Sequence, residues 1–274
     1  MLTVIDMPCG PTIESDLTTT AFGDQPGRWP LPSAGTPHQL WLRAVAAGGQ
    51  GHYSSARNDL ATLLRGAPGS RLASLAHSTQ ASFLRQLGWH KLARGWDGRA
   101  LALADADPEA AADALIGLAA DALGVGSLDA AATLLSRADP IVADAADRLV
   151  VRRAWVAAEL AMAAGDGVTA VRNAEVGVEM AAARPSARHC AKSDVVLAAA
   201  LCSNGAIDRA RIVGEAALEL TGRLGLVPLR WAVACLLVDL ADSGSPTGPI
   251  GELRVIRDEC ARQVRHRGGT WCLR

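Results

Sequence analysis

The sequence predicts an all-α solenoid of about six helix pairs behind an irregular N-terminal arm, and three observations carry that expectation. The first is a register. Gly51, Gly88, Gly126, Gly165 and Gly205 lie 37, 38, 39 and 40 residues apart. Each has an alanine seven positions before it (Ala44, Ala81, Ala119, Ala158, Ala198) and another five after it (Ala56, Ala93, Ala131, Ala170, Ala210). The second is composition: half of the 274 residues are hydrophobic, yet only two are Phe and one is Tyr. Ala, Leu and Val supply the bulk, and Ala and Leu are the strongest helix formers. The third is punctuation, because Pro68, Pro108, Pro140, Pro185 and Pro228 all fall between the expected pairs. Proline removes an N–H donor that a helix interior needs.

A fixed period of this length marks helix pairs that stack so that each buries a face on its neighbour. The two alanines fall on the two helices of a pair, where small side chains permit a close crossing. The glycine falls where the first helix stops, in the left-handed conformation that only Gly adopts without steric cost. Twelve positions beyond each glycine stands another small or apolar residue (Leu63, Ala100, Ala138, Gly177, Ala217), spaced to meet the next pair.

In chain order, residues 1–36 hold five of the thirteen prolines and a Thr18–Thr20 run, so they read as an irregular arm. Such a segment reads first as a disordered tail; a docked arm is the alternative, because Phe22, Trp29 and Leu31 are costly to leave in water. The solenoid then spans 37–274, with pairs near 37–68, 70–107, 108–139, 141–184 and 187–227 and a capping pair at 228–267. Helices are expected at 37–48 with 53–65, 70–86 with 89–104, 108–123 with 128–138, 141–164 with 167–183, and 187–203 with 206–223. Ser127 and Asp166 are placed to cap second helices. In the last pair, a loop at Asp242–Pro249 separates a helix from a closing one with Leu253, Ile256, Cys260 and Val264 on one stripe. Its other face carries Arg254, Arg257, Arg262 and Arg265, which suits the polar outer surface of a terminal repeat.

Through this register the chain resembles the tetratricopeptide repeat superfamily. The first unit carries the likeness best, through Gly51, Tyr53, Ala56, Leu60 and Pro68. Later units lack the aromatic after Gly and the closing Pro, and their period of 37 to 40 exceeds the family's of about 34. The likeness covers roughly residues 37–225. It implies a right-handed α-α superhelix whose concave face, lined by first helices, binds a partner.

Charge and motifs narrow the function classes. The net charge of −1 gives no field that calls for nucleic acid or an acidic membrane. Locally the signs separate: residues 41–96 carry seven basic and one acidic side chain, residues 97–147 two basic and ten acidic. No stretch has the roughly 20 apolar residues of a membrane span. Met1–Gly10 has no basic region followed by an apolar core, and the six cysteines form no CxxC. The expectation is a cytoplasmic, reduced protein. No phosphate loop, HExxH or GxSxG occurs, and the six scattered histidines assemble no metal set, so neither enzyme activity nor a cofactor is expected.

Two functions are compatible with this. One is a non-enzymatic scaffold that lays a partner peptide or helix in the concave groove. The other is a regulatory sensor whose groove takes a small ligand or signal peptide and controls a partner. The resemblance places concave positions about 13, 10 and 6 residues before each turn glycine. The candidate partner-binding residues are Ser78, Ser82 and Arg85 in the second unit, Arg152, Trp155 and Glu159 in the fourth, and Lys192 in the fifth. The basic members suit carboxylates, and Trp155 offers a flat anchor whose removal, together with Arg152, is expected to leave stability nearly unchanged. The family's clamp of Lys and Asn residues is not reproduced.

Overall fold

A computed structural model of the chain describes residues 12–66, 69–142, 147–242 and 250–272, which form thirteen α-helices and no strand. Pro68, Cys9 and most of the Asp242–Pro249 loop lie outside the described residues. The helices are α1 Ile13–Phe22, α2 Pro37–Gly49, α3 Tyr53–Arg65, α4 Ser70–Gln86, α5 His90–Leu103, α6 Pro108–Gly124 and α7 Leu128–Val142. They continue with α8 Asp147–Ala163, α9 Gly167–Ala182, α10 Ala187–Ser203, α11 Ile207–Arg223, α12 Val227–Asp242 and α13 Ile250–His266.

The register governs the packing. All ten repeat alanines are 0% exposed, each buried at a helix contact. Consecutive helices pack on one another throughout, and the first helices of successive pairs also touch in the ladder α2, α4, α6, α8, α10, α12. The first helices therefore form one layer, and α3, α5, α7, α9 and α11 cover it. At all five turn glycines φ lies between 77° and 86°. Each closes its helix with the same pair of bonds; at Gly126, for example, Gly126 N–H donates to Leu123 O (2.9 Å) and Ser127 N–H to Ala122 O (2.8 Å). A Cβ at Gly126, Gly165 or Gly205 would meet nothing within 4 Å, so backbone conformation rather than crowding calls for glycine there. Helix starts follow local chemistry as well. Thr36, Asp107 and Asp166 accept from the N–H groups of Gln39, Ala110 and Thr169, and Pro37 and Pro108 occupy the first helical turn, where no donor is needed.

Two expectations need correction. Pro140 lies inside α7, which runs on to Val142, and the next first helix begins at Asp147 rather than near 141. A proline in a helix's last turn forfeits only one terminal bond, so the helix tolerates it. The arm is also not irregular throughout. Thr12 accepts from Ser15 N–H and starts α1, a segment free of proline. The i, i+4 pair Leu17 and Ala21 then buries fully, at 0% and 1% exposure, because together they present one apolar stripe.

The arm ties the first pair to the fifth. Helix α1 packs on α2 and touches α10, and Gly23 O accepts from Ala187 N–H at 3.0 Å. Gln50 Nε2 donates to Pro26 O (2.8 Å) and Arg28 O (3.0 Å), and Trp29 stacks on His52 with ring centres 3.7 Å apart. The C-terminus closes the stack from the other side. Val264 and Cys260 of α13 join the apolar cluster around Tyr53 and Leu60. Ser54 N–H donates to Arg267 O (3.0 Å), Arg57 to Gly268 O (2.9 Å) and Trp89 Nε1 to Thr270 O (2.6 Å). The last helix thus packs on α12 and turns the C-terminal part of its apolar stripe to the first pair, and the layer of first helices surrounds a central space.

Candidate functional site

That central space is a cavity of about 310 Å³, lined by residues of α2, α4, α6, α8 and α10, by Phe22 at the end of α1, and by Pro228 and Leu229 of α12. All seven residues named from the sequence, Ser78, Ser82, Arg85, Arg152, Trp155, Glu159 and Lys192, are on its wall. The register explains why. Positions 13, 10 and 6 before each turn glycine, with Arg85 one turn on at 3, project from the same side of the first helices, and the stack turns that side inward.

What those side chains do differs from a set of open contacts. Arg85 is bound by two carboxylates, Asp97 and Asp121, both fully buried; its Nη1 lies 3.1 Å from Asp121 Oδ1 and 3.3 Å from Gly117 O. Burial would lower its pKa, but the paired carboxylates outweigh it and hold it raised. Gly117 makes this possible, since a Cβ there would strike the Asp97 carboxylate. Ser78 Oγ completes the cluster by donating to Asp97 Oδ1 at 2.9 Å, while Ser82 Oγ donates to Thr79 O of its own helix. Asp121 has its pKa pushed up to about 7, by burial first and by Asp97 beside it, against the opposing pull of Arg85.

Trp155 is 6% exposed, so it is a wall rather than a protruding anchor. Its indole N–H donates to Ser193 Oγ at 2.8 Å, and its ring stacks on His189 at 5.4 Å and 19°. The expectation that its removal leaves stability unchanged does not survive this burial. Lys192 Nζ sits 4.6 Å over the Trp155 ring and 4.0 Å from Glu159 Oε1. Arg152 is ion-paired with Asp113.

The structure adds residues absent from that set: Arg148, Arg188, His189 and Phe22, with Trp41, which stands at the register position ten before Gly51. Arg148 Nε donates to Glu109 Oε1 at 3.0 Å and its Nη2 to Asp113 Oδ2 at 3.2 Å. The Arg188 guanidinium lies 5.8 Å from the Phe22 ring, and Gly49 leaves it room, because a Cβ there would come within 3.1 Å of Arg188 Cδ. His189 is held between the rings of Trp155 and Phe22, with Nδ1 2.5 Å from Ser186 Oγ. Burial and the surrounding cations push its pKa well below the usual value, so the ring is neutral. Burial also brings Arg152 and Arg188 down to about 10 and lowers Lys192, with neighbouring cations adding to the effect in each. One signal was available in the sequence. Arg148 and Arg188 stand 17 residues before Gly165 and Gly205, one helical turn before the positions at 13.

The wall thus combines flat apolar surface with a group of cationic heads. Among the described residues no three His, Cys, Asp or Glu side chains are grouped to hold a metal ion, and no helix is long and apolar enough to cross a membrane. No protein-family profile matches the chain, and no curated protein is similar to it in sequence.

Proposed function

We propose that this chain is a non-enzymatic binding protein on a tetratricopeptide-like right-handed superhelix, and that its concave face takes a compact ligand as a regulatory sensor does. The observation that carries this reading is the small space left on the concave face. A partner helix needs a channel about 10–12 Å across. The space left between the first helices and Phe22 is about 310 Å³, at the lower end of the range for small-molecule pockets. Between the two readings of the concave face, a compact ligand fits this geometry better than a partner peptide laid along an open groove.

The arm gives the reading a mechanism. Phe22 forms part of the cavity wall, and the segment that follows it is bonded to α10 through Gly23 and to α2 through Gln50. A ligand that presses on Phe22 acts on the docking of α1, and the arm is then the element that reports occupancy to a protein partner.

Native mass spectrometry of the protein purified from its own cells tests this. A small molecule retained by the wild type and lost from Ala120→Trp, which fills the cavity from the wall, is the expected result. Retention of the same molecule by the filled variant, or a long peptide held in its place, would overturn it.

A further inference from the structure

The first helices carry a charge ladder that stops one carboxylate short. At the position 17 before each turn glycine stand Arg71, Glu109, Arg148 and Arg188 in successive units. Arg71 pairs with Glu109, and Glu109 with Arg148 at 3.0 Å, so sign alternates up to the fourth unit. The fifth unit then places a second cation after Arg148. Among the described residues Arg188 has no ion-pair partner, and its neighbour one turn on, Lys192, stands 4.0 Å from its only carboxylate, Glu159. Position 13 repeats the pattern more weakly, with Asp113 holding Arg152 and Lys192 following at 4.0 Å from Glu159. Two adjacent units thus present four cations to one cavity. The carboxylates of the third unit hold the nearer pair, Glu159 stands by Lys192, and of the four only Arg188 has no ion-pair partner among the described residues. Arg188 is half-buried and the Lys192 side chain is 37% exposed, so both heads remain open to an incoming anion.

We propose that the cavity binds a compact organic anion, whose carboxylate or phosphate group sits against Arg188 and Lys192 and whose apolar part packs beside the aromatic wall of Trp155, His189 and Phe22. This rests on the compact-ligand reading above and adds the ligand's chemistry to it. Guanidinium groups bind planar oxyanions through paired N–H donors. The aromatic wall beside them, Trp155 with His189 and Phe22, accepts an apolar body. A volume of about 310 Å³ lies at the lower end of small-molecule pockets, which suits a ligand the size of a small aromatic acid.

Calorimetric titration of the full chain at low salt with phenylacetate, phenyl phosphate and neutral phenylacetamide tests the inference. At least one anion is expected to bind, and the amide about tenfold more weakly or worse. The stronger of the two anions identifies the oxyanion class. Arg188→Gln is expected to weaken that anion about tenfold, Arg188→Lys to retain part of the affinity, and the exposed Arg223→Gln to change nothing. The melting temperature of Arg188→Gln should hold or rise, since the change removes repulsion with Arg148. Equal binding of anion and amide, or undiminished binding by Arg188→Gln, would overturn the anion assignment and leave the compact-ligand reading standing. Failure of all three probes to bind would overturn both.

Discussion

Trp155 donates its indole N–H to Ser193 Oγ, 2.8 Å away on α10, and so ties the fourth first helix to the fifth at the cavity wall. The Ser193 hydroxyl passes the chain on, donating to Gly177 O at 3.0 Å. Trp41 and Thr79 make the corresponding bond between α2 and α4 at 3.0 Å. Trp155→Ala should therefore cost about 3–5 kcal/mol through the cavity it opens. Trp155→Phe keeps most of the packing and should cost about 1 kcal/mol for the lost hydrogen bond, with allowance for a smaller ring. Urea denaturation checks both, and an unchanged midpoint for Trp155→Ala would contradict the burial described.

The alanine register makes a prediction about size. Ala93 and Ala131 are both 0% exposed at helix contacts. Enlarging either to Leu forces helices apart that are already in contact, at about 1–3 kcal/mol each. Wild-type stability in both variants would show that the repeat alanines do not set the packing distance.

Two glycines with equally open surroundings should respond with opposite sign. Gly126 has φ +82°, and a Cβ there would have no atom within 4 Å, so Gly126→Ala should destabilise by about 1–2 kcal/mol through backbone strain alone. Gly95 lies within α5 and also has nothing within 4 Å, so Gly95→Ala should stabilise by about 0.5–1 kcal/mol. Thermal unfolding of the pair separates conformational demand from crowding.

The buried Asp121 gives stability a definite pH dependence. Its pKa is about 7 in the folded chain and 3.8 in an unperturbed carboxyl. The folded state therefore binds the proton more tightly, and the contribution of this group is full below about pH 4 and declines as pH rises to about 7. His189 acts oppositely, since its lowered pKa costs stability as pH falls below its ordinary value. The difference between wild type and Asp121→Asn isolates the first effect. That difference should shift steadily against the wild type between pH 4 and pH 7, and a flat difference across the window would refute the assignment.

Docking of the arm is testable at a residue that is not itself on the cavity wall. Leu17 is fully buried at the α1 contact. Leu17→Ala should cost about 2–5 kcal/mol if α1 unfolds with the rest of the molecule. If α1 opens on its own, the same change instead raises hydrogen exchange in α1 and near Ala187 and leaves the global midpoint nearly unmoved. Either result shows a docked arm; wild-type stability with unchanged exchange would contradict it.

Much of this molecule was determined locally and was therefore legible in the sequence. The turn glycines, the proline and threonine or aspartate starts, and the paired alanines act within a few residues of where they stand. Predicted helices such as 70–86 and 187–203 consequently coincide with α4 and α10. The inward direction of Arg152, Trp155 and Lys192 was legible for the same reason, because a period of fixed length puts equivalent positions on one side of every first helix. What those side chains touch was decided only in three dimensions. Arg85 is occupied by Asp97 from its own pair and Asp121 from the next, and no local signal reveals that both carboxylates point at one guanidinium. The fate of the arm and of α13 was decided in the same way. Leu17 and Val264 are apolar residues whose partners lie on distant helices, so sequence pattern shows that they need burial and only tertiary structure supplies the surface. The setting of Arg188 belongs to this class too. The alternation of charge along the first helices is written in the chain, but the helices must close around a cavity before its last cation is held there beside Phe22 rather than in water.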